Sequence, residues 1–363
     1  MLFTPMDIGS LTLPNRLVRS ATAECMANPD GSPRPQLKKL YRELAEGGVG
    51  LIITGHMYVH PSGKCHPEMT GIYSDDLIPG LAELADTVHQ AGGRIVVQIN
   101  HGGMQCSEEV VEQTIAPSAI ETDSLHRPAR QVTPDQIHLL IDAYAQAGRR
   151  VKEAGFDGVQ LHGAHGYLAS QFLSPAVNRR TDEWGGDLEG RMRFLRAISR
   201  AVREQVGPAY PMLIKLGMLD GVEGGLSPEE ATQIVAALEQ MGLDALEISS
   251  GIGGGQVKSI RKGIRKEEDE AYFRFLARMA RPVTQLPVML VGGMRSRSIM
   301  DSVLRSGDAD FISMCRPLIC EPDLPNRMRA NLQDRSICIS ANLCWAEEPD
   351  TGIACKCPVD RLR

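Results

Sequence analysis

The chain has 363 residues, 42% of them apolar, with 39 Lys and Arg against 45 Asp and Glu, a net charge of -6 and a pI near 5.9. An acidic chain is repelled by nucleic acid and by anionic membrane surfaces, and no apolar run approaches the ~20 residues of a membrane span, so neither nucleic acid nor membrane is expected as a partner. Nine cysteines, an odd number, behind a start (Met1-Leu-Phe-Thr-Pro) without signal-peptide regions argue against a disulfide framework and for a cytoplasmic protein.

The first patterned stretch, Met6-Asp-Ile-Gly-Ser-Leu-Thr-Leu-Pro-Asn, alternates around Gly9-Ser10 and reads as a hairpin closing the floor of a barrel. Beyond it, β-rich apolar segments alternate with helical patterns to the end. The expected strands are Arg16 to Ala21, Gly50 to Val59, Arg94 to Asn100, Gly158 to Gly163, Pro211 to Leu216, Ala245 to Ser250, Pro287 to Gly292 and Phe311 to Arg316. Helical stretches include Asp76 to Ala91, Pro134 to Gly155, Pro228 to Gly242 and Arg297 to Gly307, several ended by a glycine C-cap. Strands and helices in this alternation indicate an α/β fold of the closed (β/α)8 TIM-barrel kind rather than an open sheet. No composition break marks a linker, so residues 1–363 are expected to form a single barrel domain with a short cysteine-containing extension over 335–363. Two connections, Gly102 to Val132 and Leu168 to Gly186, exceed ordinary loop length and read as rim elaborations around an active site.

Ligands in such a barrel are handled where the strands end. His162, His165 and Tyr167 fall there, at the start of LHGAHGYLASQFLSPAVNRRTDEWGG (161–186). Two imidazoles can hold a carbonyl or phenolate oxygen and the phenol can supply a proton, whereas the alternative casts the histidines as satisfied core residues. The seventh strand ends in Val291-Gly292-Gly293-Met294-Arg295 and the eighth in Ser313-Met314-Cys315-Arg316. Glycine amides and an arginine at that place suit a phosphate, although a GG pair alone is often only a turn. Gln98 and Lys215 end strands three and five. A lysine inside Met212-Leu-Ile-Lys-Leu needs a partner: an anionic ring system, or, as the lesser alternative, a salt bridge to Glu247.

These residues resemble the Old Yellow Enzyme family of FMN oxidoreductases over almost the whole chain. The resemblance is carried by LFTPMDIGSLTLPNRLVRSAT at 2–22, IVVQINHGG at 95–103, APSAI at 116–120, AGFDGVQLHGAHGYLASQFLSPAVNRRTDEWGG at 154–186, and the GGMR and MCRP strand ends. It implies that the Ser20, Ala21, Thr22 and Ala23 backbone passes beside FMN, that Gln98 bonds its pyrimidine edge and that Lys215 faces its N1 and O2 side. Gly292, Gly293, Arg295, Cys315 and Arg316 then fall around the phosphate, His162 and His165 grip a substrate carbonyl, and Tyr167 donates the proton. The activity implied is reduction of small enones and enals by NADH or NADPH, alternating over one flavin face in ping-pong fashion, since no GxGxxG marks a separate dinucleotide fold. Oligomeric state is left open, a homo-oligomer included.

Three positions depart from the family pattern. Ala23 stands where relatives carry a hydrogen-bonding side chain near the flavin O4. Cys338, Cys344 and Cys357 resemble three ligands of the four-iron cluster of larger relatives such as 2,4-dienoyl-CoA reductase, but Ala341 holds the second ligand position and Cys355 is awkwardly close to Cys357; the cluster is expected to be degenerate and no metal is assigned. Gly255, in SSGIGGGQ, replaces a histidine of the dienoyl-CoA reductases; with Gly251, Gly253 and Gly254 it is expected to leave room or to let the loop move. Two other readings compete: a flavin amine dehydrogenase or demethylase, which needs an aromatic bowl in a chain only 4% aromatic, and a metal-dependent hydrolase using His162 and His165 with His56 or His101. Introducing a donor by Ala23→Thr is expected to raise the flavin midpoint potential; potentiometric titration giving equal values for both proteins would remove that assignment.

Overall fold

The computed structural model describes residues 1–121, 128–253, 255–344 and 352–357. The strands are β1 (Met6–Ile8), β2 (Leu11–Leu13), β3 (Leu17–Arg19), β4 (Leu51–Ile53), β5 (Met57–Tyr58), β6 (Ile95–Asn100), β7 (Thr114–Ala116), β8 (Ala129–Gln131), β9 (Gly158–Gly163), β10 (Met212–Gly217), β11 (Ala245–Ser249), β12 (Val288–Leu290) and β13 (Phe311–Met314). The helices are α1 (Pro35–Glu46), α2 (Ile78–Gln90), α3 (Pro134–Glu153), α4 (Leu168–Leu173), α5 (Leu188–Val206), α6 (Pro228–Ala237), α7 (Arg274–Ala280), α8 (Arg297–Arg305), α9 (Arg316–Cys320) and α10 (Leu324–Arg329). Eight parallel strands run in the order β4-β3-β13-β12-β11-β10-β9-β6, and the β6–β4 pairing closes the ring, as in a (β/α)8 barrel.

The barrel interior follows from the two-residue period of its strands. Val18, Leu51, Ile53, Val96, Leu213, Ala245, Met289 and Phe311 form a dry inner layer, and the hairpin of β1 and β2 covers it from below with Ile8, Leu11 and Leu13. Two residues further along the same strands the inward positions turn polar: Ser20, Gln98, Lys215, Glu247 and Ser313, joined by Gln160 of β9, all buried. The helices cover the outer faces through a larger apolar layer that includes Tyr41, Tyr144, Phe172 and Phe194. Their starts are chemically marked. Thr133 and Gln136 form a reciprocal capping box before α3, and Asp187 and Ser227 cap α5 and α6, each cap stabilising its helix by about 1 kcal/mol.

One expected strand is two. Gly50 to Val59 leaves the ladder at Thr54–His56 between β4 and β5, because Gly55 sits where the β3 loop crosses it. Its N–H donates to Glu24 Oε1 at 2.8 Å, and a Cβ there would lie 1.9 Å from Glu24 Oε2 and 2.7 Å from the Thr22 carbonyl oxygen. The other seven differ from expectation only at their ends. The first long connection carries the short pair β7 and β8, with 122–127 outside the described residues, and the second carries α4. Among the described residues no helix is long and apolar enough to cross a membrane.

Candidate active site

A cavity of about 400 Å³ opens at the carboxyl ends of the barrel strands. Every residue selected from the sequence borders it except Gly292 and Arg295.

Its floor is a hydrogen-bonded polar layer set by strand register. Lys215 is paired with His162 on one side and Glu247 on the other, and Gln98 with Gln160. The Lys215 Nζ lies 3.2 Å from Glu247 Oε2 and donates to Ser20 Oγ at 2.7 Å; Ser20 in turn donates to Glu247 Oε1 at 2.7 Å. Gln160 donates to Glu247 at 3.1 Å and receives from Gln98 Nε2 at 2.7 Å. The salt bridge to Glu247, the lesser alternative on sequence grounds, is therefore present. It does not exhaust the ammonium, which has three donors and uses two here, and both Lys215 and Gln98 border the cavity.

On one side of this floor stand three imidazoles and a phenol. His162 and His165 rings are 5.2 Å apart, and Tyr167 lies 4.8 Å from both His162 and His56. A backbone N–H can only donate, so the Ala164 N–H bonded to His162 Nδ1 at 3.3 Å places that ring's proton on Nε2. His165 takes a left-handed backbone (φ 61°), ahead of Gly166 (φ 76°), and its Nε2 lies 2.6 Å from the Ser249 hydroxyl. Such a conformation costs of order 1 kcal/mol for a non-glycine residue and is held by the surrounding turn. Burial, then the neighbouring imidazoles and Lys215, hold His162 well below its ordinary pKa; burial, then Lys215 and His56, hold His165 at about 3, and burial, His66 and Lys215 hold His56 at about 3. Burial, then the nearby Cys65 and Cys106 thiols, pushes the Tyr167 phenol up. All four rings are consequently neutral hydrogen-bonding groups over the working pH range.

The opposite side is built for an anion. Gly293 has φ 74°, and a Cβ there would lie 3.0 Å from the Tyr272 ring. Ser313 Oγ is buried without a partner in the cavity wall. The Arg316 guanidinium borders the same end, donating to the Arg261 carbonyl and to Asn342 Oδ1, both at 2.6 Å, and Thr22 Oγ1 lies 2.8 Å from Cys315 Sγ. An unsatisfied hydroxyl, a side-chain-free turn and a positioned guanidinium fit an anionic group such as the phosphate of FMN, and the Ser20 to Ala23 backbone, Gln98 and Lys215 border the same cavity. That backbone is itself fixed. Arg19 donates to the Ile53 carbonyl at 2.6 Å and pairs with Glu24 at 2.8 Å, and Glu24 accepts from Tyr41 at 2.5 Å.

The rim segment after Tyr167 is scaffolding. Gln171 ties the turn together, donating to the Gly166 carbonyl at 2.6 Å and to the Gly102 carbonyl at 3.4 Å. Asn178 donates to the Phe172 and Trp184 carbonyls, each at 2.8 Å, and Arg180 donates to those of Pro117 and Val132 at 2.8 and 2.7 Å while pairing with Asp182. Arg191 donates to the Leu173 carbonyl at 3.0 Å and pairs with Glu230.

Several expectations need correction. Arg295 does not reach the cavity: its guanidinium donates to the Ile264 carbonyl at 2.7 Å and the Ser336 carbonyl at 2.8 Å, tying the start of the cysteine-bearing segment to the barrel. Gly292 lies behind the wall that Gly293 forms, with φ 139° against Phe273. Gly255 leaves no room, since a Cβ there would lie 2.9 Å from the Asp220 and Gly221 carbonyl oxygens; Gly251, at φ 86°, packs as closely on Val257, and Gly254 lies outside the described residues. His101 turns away to Ser62 and the Gly103 N–H, at 3.0 Å each. Among the described residues no group of three or more His, Cys, Asp or Glu is arranged to hold a metal ion. Sequence reading set His56 beside His162 and His165 only as a metal ligand of the competing hydrolase; the structure places its ring in the cavity wall, 4.8 Å from Tyr167. Sequence reading missed Ser249, the inward residue two places after Glu247.

Residues 1–335 match the model of the NADH:flavin oxidoreductase / NADH oxidase family. The chain belongs to that family. It is 37% identical over 347 residues to the NADH oxidase of Thermoanaerobacter brockii, covering 94% of this chain and 53% of that one, and 34% identical over 328 residues to the NADPH dehydrogenase of Geobacillus sp. (strain WCH70), covering 90% and 92%. The chain thus spans about half the length of the first of these relatives. The solved structure of the Old Yellow Enzyme homologue from Zymomonas mobilis superposes with a TM-score of 0.81 at 28% identity, covering 94% of this chain and 95% of that one. An FMN-binding, NAD(P)H-using oxidoreductase family thus agrees with the cavity's two ends. In this NADH:flavin oxidoreductase barrel, Lys215→Met is expected to abolish FMN retention and, by stranding the Glu247 carboxylate, to destabilise the fold by ~3–5 kcal/mol. The double variant Lys215→Met/Glu247→Met should regain most of that stability yet stay colourless in a denaturant titration followed by flavin absorbance; a yellow double variant would show that the cation is dispensable.

Proposed function

We propose that the chain is an ene reductase, taking electrons from NADH or NADPH and reducing the C=C bond of small α,β-unsaturated aldehydes and ketones. What carries this reading is the set of neutral groups, His162, His165 and Tyr167, gathered at the cavity beside Lys215. Bound FMN supplies the hydride, from N5. The His162 Nε2–H, with His165 beside it, holds the substrate's carbonyl oxygen and draws electron density from the conjugated alkene, so that the β-carbon accepts hydride. Tyr167, kept protonated by its burial, delivers its proton to the α-carbon as negative charge develops there. Lys215 and Gln98 would hold the flavin ring, where a cation would favour its negatively charged reduced form, and Arg316 and Ser313 would hold the phosphate. Electron donor and enone are both small enough at their reacting ends to use one face in turn, which gives ping-pong kinetics.

The amine dehydrogenase reading is weaker on the cavity's composition. Among the described residues bordering it, the only Tyr, Phe or Trp are Tyr167 and Tyr272, and the Tyr272 ring already carries Arg261 at 4.4 Å. Among the described residues the metal-dependent hydrolase reading lacks a ligand set.

Anaerobic rapid mixing tests the proposal: NADH or NADPH should bleach the flavin, and cyclohexenone should restore its colour. Tyr167→Phe should slow the restoring step by about 10²–10⁴-fold while leaving bleaching nearly unchanged. Equal loss in both steps would remove the proton-donor role.

The pH dependence is set by the same burial. Histidines held near pKa 3 stay neutral, and a phenol pushed up stays protonated, so the wild-type restoring rate should be flat within about twofold from pH 6 to 9. Stability behaves otherwise. A histidine whose folded pKa is depressed binds a proton only when unfolded, so its contribution is present above the unfolded value near 6.5 and is lost as pH falls toward the folded one. His56, His101 and His165, all held at about 3, should each remove roughly 1.4 kcal/mol per pH unit below about pH 6. A bell-shaped rate profile centred near neutrality, or denaturant midpoints unchanged between pH 7 and 5, would contradict this assignment.

A further inference from the structure

Behind the phosphate end lies a second, smaller cavity, and Arg316 forms part of the wall of both. Five of the chain's nine cysteines border it: Cys320, Cys338, Cys344, Cys355 and Cys357. Four of them belong to the C-terminal segment already singled out. Cys320 does not; it is the last residue of α9, the helix that Arg316 begins. Its sulfur lies 3.1 Å from the sulfur of Cys355, across 35 residues of chain. A disulfide holds its sulfurs at about 2.05 Å, so bond formation asks for a shift of only about 1 Å. Both thiols are partly exposed, so a small oxidant can reach them.

The position of Cys355 gives this contact a consequence. Residues 352–357 form a strap against the active-site wall: the Ile353 N–H donates to the Glu24 carbonyl at 2.8 Å, the Ala354 N–H donates to the Cys344 carbonyl at 3.2 Å, and Ile353 borders the main cavity. The strap is therefore anchored to the loop that carries Ser20 to Ala23, while Cys320 is anchored to the helix that carries Arg316.

We propose that Cys320 and Cys355 are a reversible thiol–disulfide pair, oxidised by low-molecular-weight disulfides, whose bond fastens the strap across the phosphate end of the flavin cavity. This goes beyond the ene-reductase reading and does not rest on it. The chemistry is two exchange steps. The Cys355 thiolate attacks one sulfur of the oxidant RS–SR, forming a mixed disulfide and releasing RS⁻. The Cys320 thiolate then attacks the Cys355 sulfur of that mixed disulfide, forming the Cys320–Cys355 bond and releasing the second RS⁻. Two electrons pass from the protein thiols to the oxidant, and the two thiol protons leave with two RSH. Burial, with the neighbouring Cys355 and Cys338 thiols and Glu321, pushes the Cys320 thiol up, which leaves Cys355, adjacent to Lys356, as the attacking group. An iron cluster is the competing use of these sulfurs. The family-like set lacks its second thiolate at Ala341, and each ligand of such a cluster occupies a different iron, whereas Cys320 and Cys355 touch each other.

The experiment uses the full chain with its flavin bound, equilibrated in glutathione/glutathione disulfide mixtures, alkylated, digested without reduction and mapped by mass. One linked peptide pair should join Cys320 to Cys355, two hydrogens lighter than the thiol forms. FMN release after dilution, followed by flavin fluorescence, should be several-fold slower in the oxidised protein. Cys320→Ser and Cys355→Ser should each abolish both effects, and Cys357→Ser should keep both. Because the mapping is done on wild type, a poorly folding variant does not decide the matter. Absence of the linked peptide at every ratio, linkage of Cys355 to Cys338 or Cys357 instead, unchanged FMN release on oxidation, or a full complement of four irons and sulfide on anaerobically purified chain would each overturn the proposal.

Discussion

The structure depends on one buried ion pair. Lys215 and Glu247 sit on neighbouring strands inside a barrel whose adjoining layer is entirely apolar, with side chains only 3% and 0% exposed. Removing two charges from water costs several kcal/mol each, and direct attraction offsets this only where further hydrogen bonds satisfy what remains. Ser20 and Gln160 provide those bonds, and they come from β9 and from the loop that leaves β3. Holding the pair thus requires that the barrel be closed in its observed register, since a one-residue slip would send Lys215 outward into the helical layer. The same register brings His162 and Gln98 to the cavity, so the electrostatic requirement and the placement of the functional groups are met by a single alignment of strands.

The long rim motif owes most of its specificity to architecture. Asn178, Arg180 and Arg191 spend their donors on backbone carbonyls of a segment with little regular structure, which otherwise would bury unsatisfied carbonyl groups. Their effect is to fix α4, and with α4 the turn in which His165 adopts its left-handed backbone and Tyr167 faces the cavity. A turn held this firmly keeps the His165 and Tyr167 rings 5.2 and 4.8 Å from that of His162.

Much of this was legible because it is periodic or chemically local. β-rich apolar segments alternating with helical patterns gave seven strands to within a few residues, and a histidine pair with a tyrosine two residues on, at a strand's end, marked one wall of the cavity. What stayed hidden depends on contacts between distant parts of the chain. Gly50 to Val59 has unbroken strand composition, yet Gly55 must let Glu24 pass, which no local pattern records. Arg295 follows two glycines as a phosphate ligand would, but the Ile264 and Ser336 carbonyls, 31 residues before it and 41 after it, claim its guanidinium. Gly251 and Gly255 look permissive in sequence and are in fact close-packed. Cys320 lies 35 residues before Cys355, and only the fold brings the two together.

The two ends of the cavity solve opposite electrostatic problems. At the catalytic side the groups must donate hydrogen bonds without carrying charge, because an imidazolium beside Lys215 would be a second cation in a low-dielectric pocket. Burial enforces this: it keeps His56, His162 and His165 neutral and Tyr167 protonated, which is what the proposed proton transfer requires. At the other end the Arg316 guanidinium is clamped by the Arg261 carbonyl and Asn342, a geometry suited to an anion. Asn342 belongs to the cysteine-bearing segment, so Arg316 and the 352–357 strap both lean on that segment, one through Asn342 Oδ1 and the other through the Cys344 carbonyl, and the wall of the cavity is built partly from residues beyond the barrel.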